Sequence, residues 1–198
     1  WAKCRSNSHD NQIIDSIRGT TKYASSNRND TLTASDRITS INNDGFTLGS
    51  DGRLNENSAT NVAWCWKAGG SSNTYNIDGT GYATAAAAGL NTGTITPTGS
   101  SINTEGGFSV ITYTANGTAG ATIPHGLGKK PAWIIIKCRS NVDNWMVYHN
   151  QANGGSSPED QYFELNAQGG DIDSAIMLND TAPTSTLVTV QNDGSVNS

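Results

Sequence analysis

The sequence predicts an all-β protein, an antiparallel β-sandwich in two related copies, and three observations carry that prediction. Gly, Ser, Thr and Asn number 22, 21, 23 and 22, so 88 of the 198 residues are small and turn- or strand-prone, while only 15% are charged. Helices draw on Ala, Leu, Glu, Lys and Arg, whereas Thr, aromatics and Val/Ile favour strands and Gly, Asn and Ser favour turns. Short apolar runs recur between turn signals at a spacing of about ten residues, the pattern of a sandwich. Finally, Lys3-Cys4-Arg5-Ser6-Asn7 returns letter for letter as Lys137-Cys138-Arg139-Ser140-Asn141.

The correspondence runs on along the chain. Asp10-Asn11 matches Asp143-Asn144, Tyr23 to Asn27 matches Tyr162 to Asn166, and Phe46 to Asn55 matches Val188 to Asn197. The offset moves from 134 through 133 and 139 to 142, which places the length differences in loops. So long a period marks tandem domains and not a solenoid. In the second copy the predicted strands are Phe108 to Thr114, Thr122-Ile123, Trp133 to Arg139, Trp145 to His149, Tyr162 to Leu165, Ala175 to Leu178 and Leu187 to Val190. Asn116-Gly117, Asn192-Asp193-Gly194 and Asp51-Gly52 are assigned to tight hairpins with positive φ.

Domain boundaries follow from the same comparison. Residues 1–68 form the C-terminal part of the first repeat and 105–198 the second repeat without its last strand. Residues 69–104, rich in Gly, Ser, Thr and Ala, read as a linker or long loop in which Ala85 to Ala88 make one helical turn. The strand in Asn61 to Ala68 has no counterpart in the second copy. Phe108 to Tyr113 and Ile123-Pro-His-Gly-Leu-Gly128 have none in the first, so each copy is truncated by a chain end and the chain reads as an excerpt. Unpaired edges then call for pairing between the halves, or for completion by further chain or a neighbouring subunit.

Composition excludes several classes. A net charge of −5 leaves no Lys/Arg field for nucleic acid or an anionic membrane surface. The longest apolar run, Ala132 to Ile136, is strand-sized against the ~20 residues of a membrane span, so no membrane insertion is expected. Cys4, Cys65 and Cys138 fit no metal spacing and are expected as buried thiols, with a Cys4–Cys65 disulfide as the alternative.

Arg5 to Tyr23, Asp44 to Gly52, Val62 to Ala68, His125 to Gly128, Asn144 to His149 and Asn179 to Ser185 resemble a family of marine bacteriophage and metagenomic virion proteins. Its members carry tandem concanavalin A-like (LamG-like) lectin/glucanase-type β-sandwich repeats of tail-fibre or virion-surface type. The resemblance covers nearly the whole chain. It implies a concanavalin A-like jelly roll and a virion surface protein that is structural, receptor-binding or both.

Catalysis on such a sandwich requires two carboxylates placed together, as in an alternating acidic run along one strand. The nearest candidates, Glu159-Asp160 with Glu164 and Asp171-Ile172-Asp173, lack that pattern. No nucleophile elbow, phosphate loop or His/Cys cluster is present, so the chain is not expected to be an enzyme and no cofactor is required. His125, between Pro124 and Gly126, is assigned to stabilising a turn. Asp171 and Asp173 either form a turn or offer oxygens to Ca²⁺, a metal that modules of the resembling fold often carry. Sugar binding needs aromatic faces beside amides and guanidinium groups. Trp64, Trp66 and Trp133 are assigned to the core. Trp145 with His149 and Arg139, or Tyr148 if Trp145 points inward, is the candidate saccharide platform.

The expectation is therefore a non-enzymatic virion protein, a tail fibre or capsid-surface appendage on the particle surface, binding host-surface polysaccharide weakly and multivalently. Its partners are other virion proteins and copies of itself. Two alternatives stay open: a purely structural decoration or fibre-shaft module completed by neighbours, and a polysaccharide depolymerase.

Overall fold

The computed structural model describes residues 1–70 and 73–198. In chain order the elements are β1 (Ala2–Cys4), β2 (Gln12–Asp15), β3 (Gly19–Ser25), β4 (Thr33–Ala34), β5 (Ile38–Asn42), β6 (Gly45–Leu48), the one-turn helix α1 (Gly52–Asn55) and β7 (Asn61–Ala63). Then come β8 (Tyr75–Ile77), β9 (Thr80–Tyr82), β10 (Gly99–Asn103) and β11 (Phe108–Thr112). The remainder is β12 (Ala121–Pro124), β13 (Trp133–Ile136), β14 (Met146–His149), β15 (Gln161–Glu164), β16 (Ile172–Asp173) and β17 (Leu187–Val190). The protein is all-β, and every pairing is antiparallel except β8 with β10.

Two four-stranded arrays share one plan. The first, β4-β3-β2-β1, is four strands of a five-stranded sheet that β7 extends beyond β1, and the second is β16-β15-β14-β13. Their registers agree pair by pair: Ala2 opposite Gln12 answers Ile136 opposite Met146, and Ile13 opposite Ala24 answers Val147 opposite Phe163. At the far side, Tyr23 opposite Thr33 answers Tyr162 opposite Ile172. Local side-chain bonds recur at the same offsets. Lys3 Nζ donates to His9 O, and Lys137 Nζ to Asp143 O at 2.8 Å. Cys4 Sγ lies 3.7 Å from Ser6 Oγ, and Cys138 Sγ 3.6 Å from Ser140 Oγ. Asn27 accepts the Asn11 N–H at 2.8 Å and donates to Asp10 Oδ1 at 2.8 Å; Asn166 accepts the Trp145 N–H at 2.7 Å and donates to Asn144 Oδ1 at 2.8 Å. Each asparagine thus fastens the start of a central strand to the end of its neighbour.

The two Asp-Gly segments also adopt one geometry, and it corrects the expected hairpins. Asp51 caps α1, its Oδ1 accepting the Arg53 N–H at 2.8 Å, and Asp193 accepts the Ser195 N–H at 2.8 Å and starts an equivalent turn with Asn197 N–H on Asp193 O. Asp side chains compete for nearby backbone donors, so these residues begin helical turns; neither Gly52 nor Gly194 has positive φ. Gly117 does, as expected.

The cores differ in size while sharing positions. In the first half Ala2, Ile38 and Leu54 pack with Ile14 and Phe46. The corresponding Ile136, Leu178, Val196, Tyr148 and Val188 all belong to the larger cluster of the second half, which adds Ile95, Ala121, Ile123 and others. There β12 and β17 form a two-stranded layer, and their apolar residues share that cluster with Ile136, Met146, Tyr148 and Tyr162 of the four-stranded array. Ala175 to Leu178, expected as a strand, is a helical turn closed by the Asn179 N–H on Ala175 O at 2.8 Å. Met177 and Leu178 fill the core from it, so their burial does not require a strand.

Residues 69–104 are not a featureless linker. They contribute β8, β9 and β10, and Ala85, Leu90 and Ile102 form a cluster that reaches the second-half core through Ile111. Ala85 to Gly89 does make a turn, with the Ala88 N–H on Thr84 O at 3.2 Å. The segment packs with polar atoms where most cores use apolar ones. Buried Asn76 donates to Ser100 O at 3.1 Å and accepts from Ser101 Oγ at 2.9 Å, while the Gly69 N–H donates to Ser101 Oγ at 2.9 Å. A Cβ on Gly69 would stand 1.6 Å from Asn76 Oδ1, so only glycine fits that approach. Composition conceals such a network, because its members are ordinary turn residues.

All three thiols are free. Cys4 is buried, Cys138 half-buried and Cys65 exposed, against the expectation of three buried thiols. β1 and β7 pair with Cys4 opposite Asn61, which carries Cys65 past the other end of β1 and precludes the Cys4–Cys65 bond.

Because each asparagine satisfies two partners, Asn27→Ala and Asn166→Ala are each expected to lower stability by about 1–2 kcal/mol. Urea unfolding of both variants measures this, and costs of similar size are expected at the two equivalent positions.

Candidate functional site

The saccharide platform expected around Trp145 does not form. Trp145 is 5% exposed, and its indole Nε1–H is shared between Ser25 O at 2.9 Å and Arg28 O at 3.0 Å. Lys137 donates to Asn29 O at 3.1 Å beside it, with burial lowering its pKa. The loop 25–29 of the first half therefore caps the outer face of the second-half array. Tyr148 is fully enclosed on the opposite face, and burial raises its phenol pKa. Strand alternation predicted that one of the two would be free. It failed because β14 is a central strand covered on both faces, with Met146 and Val147 also buried. Of the four expected residues, only His149 and Arg139 are exposed. His149 Nδ1 accepts the Gln151 N–H at 3.1 Å and so is partly engaged in closing its own turn.

The acidic candidates are likewise dispersed. Glu159 and Asp160 lie in a 3-10 turn, Pro158–Asp160, and not on a strand. Glu164 on β15 accepts from Asn144 Nδ2 at 2.7 Å. Asp171 accepts the Asn153 N–H at 2.9 Å. Asp173 on β16 sits opposite Gln161 of β15, and burial, followed by the charges of Asp180, Glu159 and Asp173, raises the Asp160 pKa. Among the described residues no group of three or more His, Cys, Asp or Glu side chains is placed to hold a metal ion.

His125 is a structural residue. It is buried, its Nδ1 accepts the Leu127 N–H at 3.3 Å, and its Nε2 faces Thr184 O at 3.3 Å. An acceptor at Nδ1 and a donor at Nε2 describe the neutral ring, which burial favours by lowering the pKa.

The exposed aromatics are those assigned to the core. Trp64 is 49% exposed, Trp66 51% and Trp133 50%. β7 is an edge strand, and the chain after it runs along the surface, so Trp64 and Trp66 keep one side open. Trp66 stacks on Phe108, ring centroids 6.1 Å apart and planes 16° from parallel; Trp64 tilts against Trp1 at 6.1 Å. Polar groups border the Trp66–Phe108 pair. Asn103, opposite Phe108 in the β10–β11 register, donates to Lys67 O at 3.2 Å. Thr104 Oγ1 and N–H both donate to Asp78, and these bonds hold that carboxyl below its usual range. On the second half Trp133 lies opposite His149 in the β13–β14 register, so the exposed histidine has an aromatic neighbour other than the one expected. The available signal was the Trp-Cys-Trp-Lys run itself, which ends in a charge and alternates polar with aromatic residues at a strand's end.

The profile of one family, described as a domain of unknown function (DUF7483), matches residues 1–198. The chain belongs to the DUF7483 family. No curated protein and no solved structure matches it. The DUF7483 match spans both halves and the segment between them.

In this DUF7483 chain Trp145→Phe keeps a ring in place but removes the donor shared by two carbonyls. The expected cost is about 1–3 kcal/mol, read by urea unfolding, with loop 25–29 becoming more sensitive to proteolysis.

Proposed function

We propose that this chain is a non-enzymatic virion structural and adhesion protein, a tail fibre or capsid-surface appendage built on two related concanavalin A-like jelly-roll copies. The first copy comprises residues 1–68, and the second takes in 105–198 together with the packed segment before it. The two-copy reading is supported by the arrays of matched register and by the paired asparagine bonds. The adhesion reading rests on one observation: three tryptophans are half-exposed while Trp145, the tryptophan of the candidate platform, is buried. Indole faces beside amide, hydroxyl and ammonium groups suit the apolar faces and hydroxyls of a pyranose. A shallow surface site of this kind gives weak single contacts, which display in many copies on a particle turns into avidity. The reading requires no cofactor or calcium, and its partners are host-surface polysaccharide, other virion proteins and copies of itself.

A purely structural role as a decoration or fibre-shaft module is the second reading. It is favoured by the free edges of β6 and β13, which have no partner strand among the described residues.

Glycan arrays and host-cell binding separate the two. With a multivalent display of the protein, Trp66→Ala and Trp133→Ala are expected to weaken binding by about tenfold per site, which is ~1.4 kcal/mol, at unchanged stability. Negative arrays and negative cell binding by a chain that is still present in purified particles would remove adhesion and leave scaffolding. Release of reducing ends from host polysaccharide, lost in Glu164→Gln, would point to a depolymerase.

A further inference from the structure

The strand β17 has two neighbours in the second half. On one side the Gln191 N–H donates to Met177 O at 3.3 Å; on the other β12 pairs with Ala121 opposite Val190, Thr122 opposite Thr189, Ile123 opposite Val188 and Pro124 opposite Leu187. Its counterpart β6, 142 residues earlier, has only the first. There the Gly49 N–H donates to Arg37 O at 3.0 Å, and β5 is the single partner among the described residues. Pairing with β5 uses the groups of Gly45, Thr47 and Gly49, so by alternation the N–H and C=O of Phe46 and Leu48 face the free side.

The side chains record the same gap. Val190 is fully buried and Val188 is 7% exposed, whereas Leu48 is 37% exposed and Phe46 half-buried. The first-half core has a counterpart in the second for each of its members, but nothing in the place of Ala121 and Ile123. Beside β6 lies an apolar recess of about 220 Å³, bounded by Ala2, Phe46, Leu48, Leu54, Val62 and Ala63. Ala2, Phe46 and Leu54 correspond to Ile136, Val188 and Val196, which share the second-half cluster with Ala121 and Ile123.

We propose that the free edge of β6 and this recess are the seat of an antiparallel strand of the Ala121–Pro124 pattern, joined ahead of β1 in the same polypeptide as β12 is joined ahead of β13. A residue in the place of Ala121 stands opposite Leu48 and one in the place of Ile123 opposite Phe46. These two fill the recess, while the Thr122 position points away from it. Proline in the last place withholds no needed bond, because the new strand is itself an edge. The joining segment has the eight residues 125–132 as its template, from Pro124 at the end of β12 to Trp133 at the start of β13. The inference rests on the two-copy reading, and it adds the seat, the register and the residue pattern.

The test fuses a copy of residues 119–134 ahead of Trp1 and follows amide hydrogen exchange. Phe46 and Leu48 amides are expected to slow by about tenfold or more, with Gly45 and Thr47 little changed. The same extension carrying Ile123→Asp is expected to give no slowing. No change at Phe46 and Leu48, or protection appearing instead at the free edge of β13, overturns the proposal. A dimer of the unextended chain with Phe46 and Leu48 already slow would assign the seat to a second molecule and overturn it as well. If the extended chain does not fold, a peptide of residues 118–126 added to the unextended chain is read at the same two amides, and no slowing there overturns the proposal. The two-copy reading is checked separately, by protection across β1 to β4 and β13 to β16. Matching patterns with unaffected Phe46 and Leu48 sink this inference alone, whereas patterns out of step sink that reading.

Discussion

One indole proton joins the two halves. Trp145 places its Nε1–H between the carbonyls of Ser25 and Arg28, the first bond buried and the second partly so. A large ring buried there contributes through area, and the shared hydrogen bond fixes how loop 25–29 meets the second array. Lys137, bonded to Asn29 and Asp143, seals the same contact from the side. Much else follows from this closure. With the outer face of β14 covered, no aromatic on that strand is available to a ligand, and the open indoles are those on or just beyond edge strands: Trp64, Trp66 and Trp133.

The low charge and the abundance of Gly, Ser, Thr and Asn express a second constraint. Many internal contacts are made by short polar side chains to backbone groups: the Asn27 and Asn166 fastenings, the Asp51 and Asp193 caps, and the Asn76–Ser101–Gly69 network. Such contacts need small residues at fixed positions and few long charged ones. Even the buried guanidinium of Arg37 is used locally, bonded to Asp51 at 2.9 Å and lying 3.7 Å over the Tyr23 ring.

Much of the fold was legible because the repeated letters are the ones that make local bonds. Lys3, Cys4, Ser6 and Asn27 recur with the bonds they make, while the partners follow position and not letter: Asp10 and Asn11 are answered by Asn144 and Trp145, one residue beyond the Asp143-Asn144 that the letters match. Strands β13, β14, β15 and β17 fell close to their expected positions for the same reason, whereas β11 and β12, which have no repeated counterpart, were legible from short apolar runs between turn residues. The segment 69–104 resembles a linker in sequence because its apolar residues, Tyr75, Ile77, Leu90, Ile95 and Ile102, are isolated among turn formers, and its core is partly polar. The site was the least legible part. Periodicity along one strand states which residues share a face, but the faces of β14 are decided by what packs on them from 120 residues away. Likewise Trp64 and Trp66 look like core residues until β7 is seen at the edge of its sheet.

The closure of the two halves rests on which indoles are enclosed, and the exchange of the five tryptophan side-chain N–H protons with solvent measures this directly. The Trp145 proton is expected to exchange at least ~100-fold more slowly than those of Trp64, Trp66 and Trp133, because it opens only when the two halves separate locally. A Trp145 indole exchanging as fast as those three would contradict the closure of the halves. It would return Trp145 to the surface as a candidate for ligand contact.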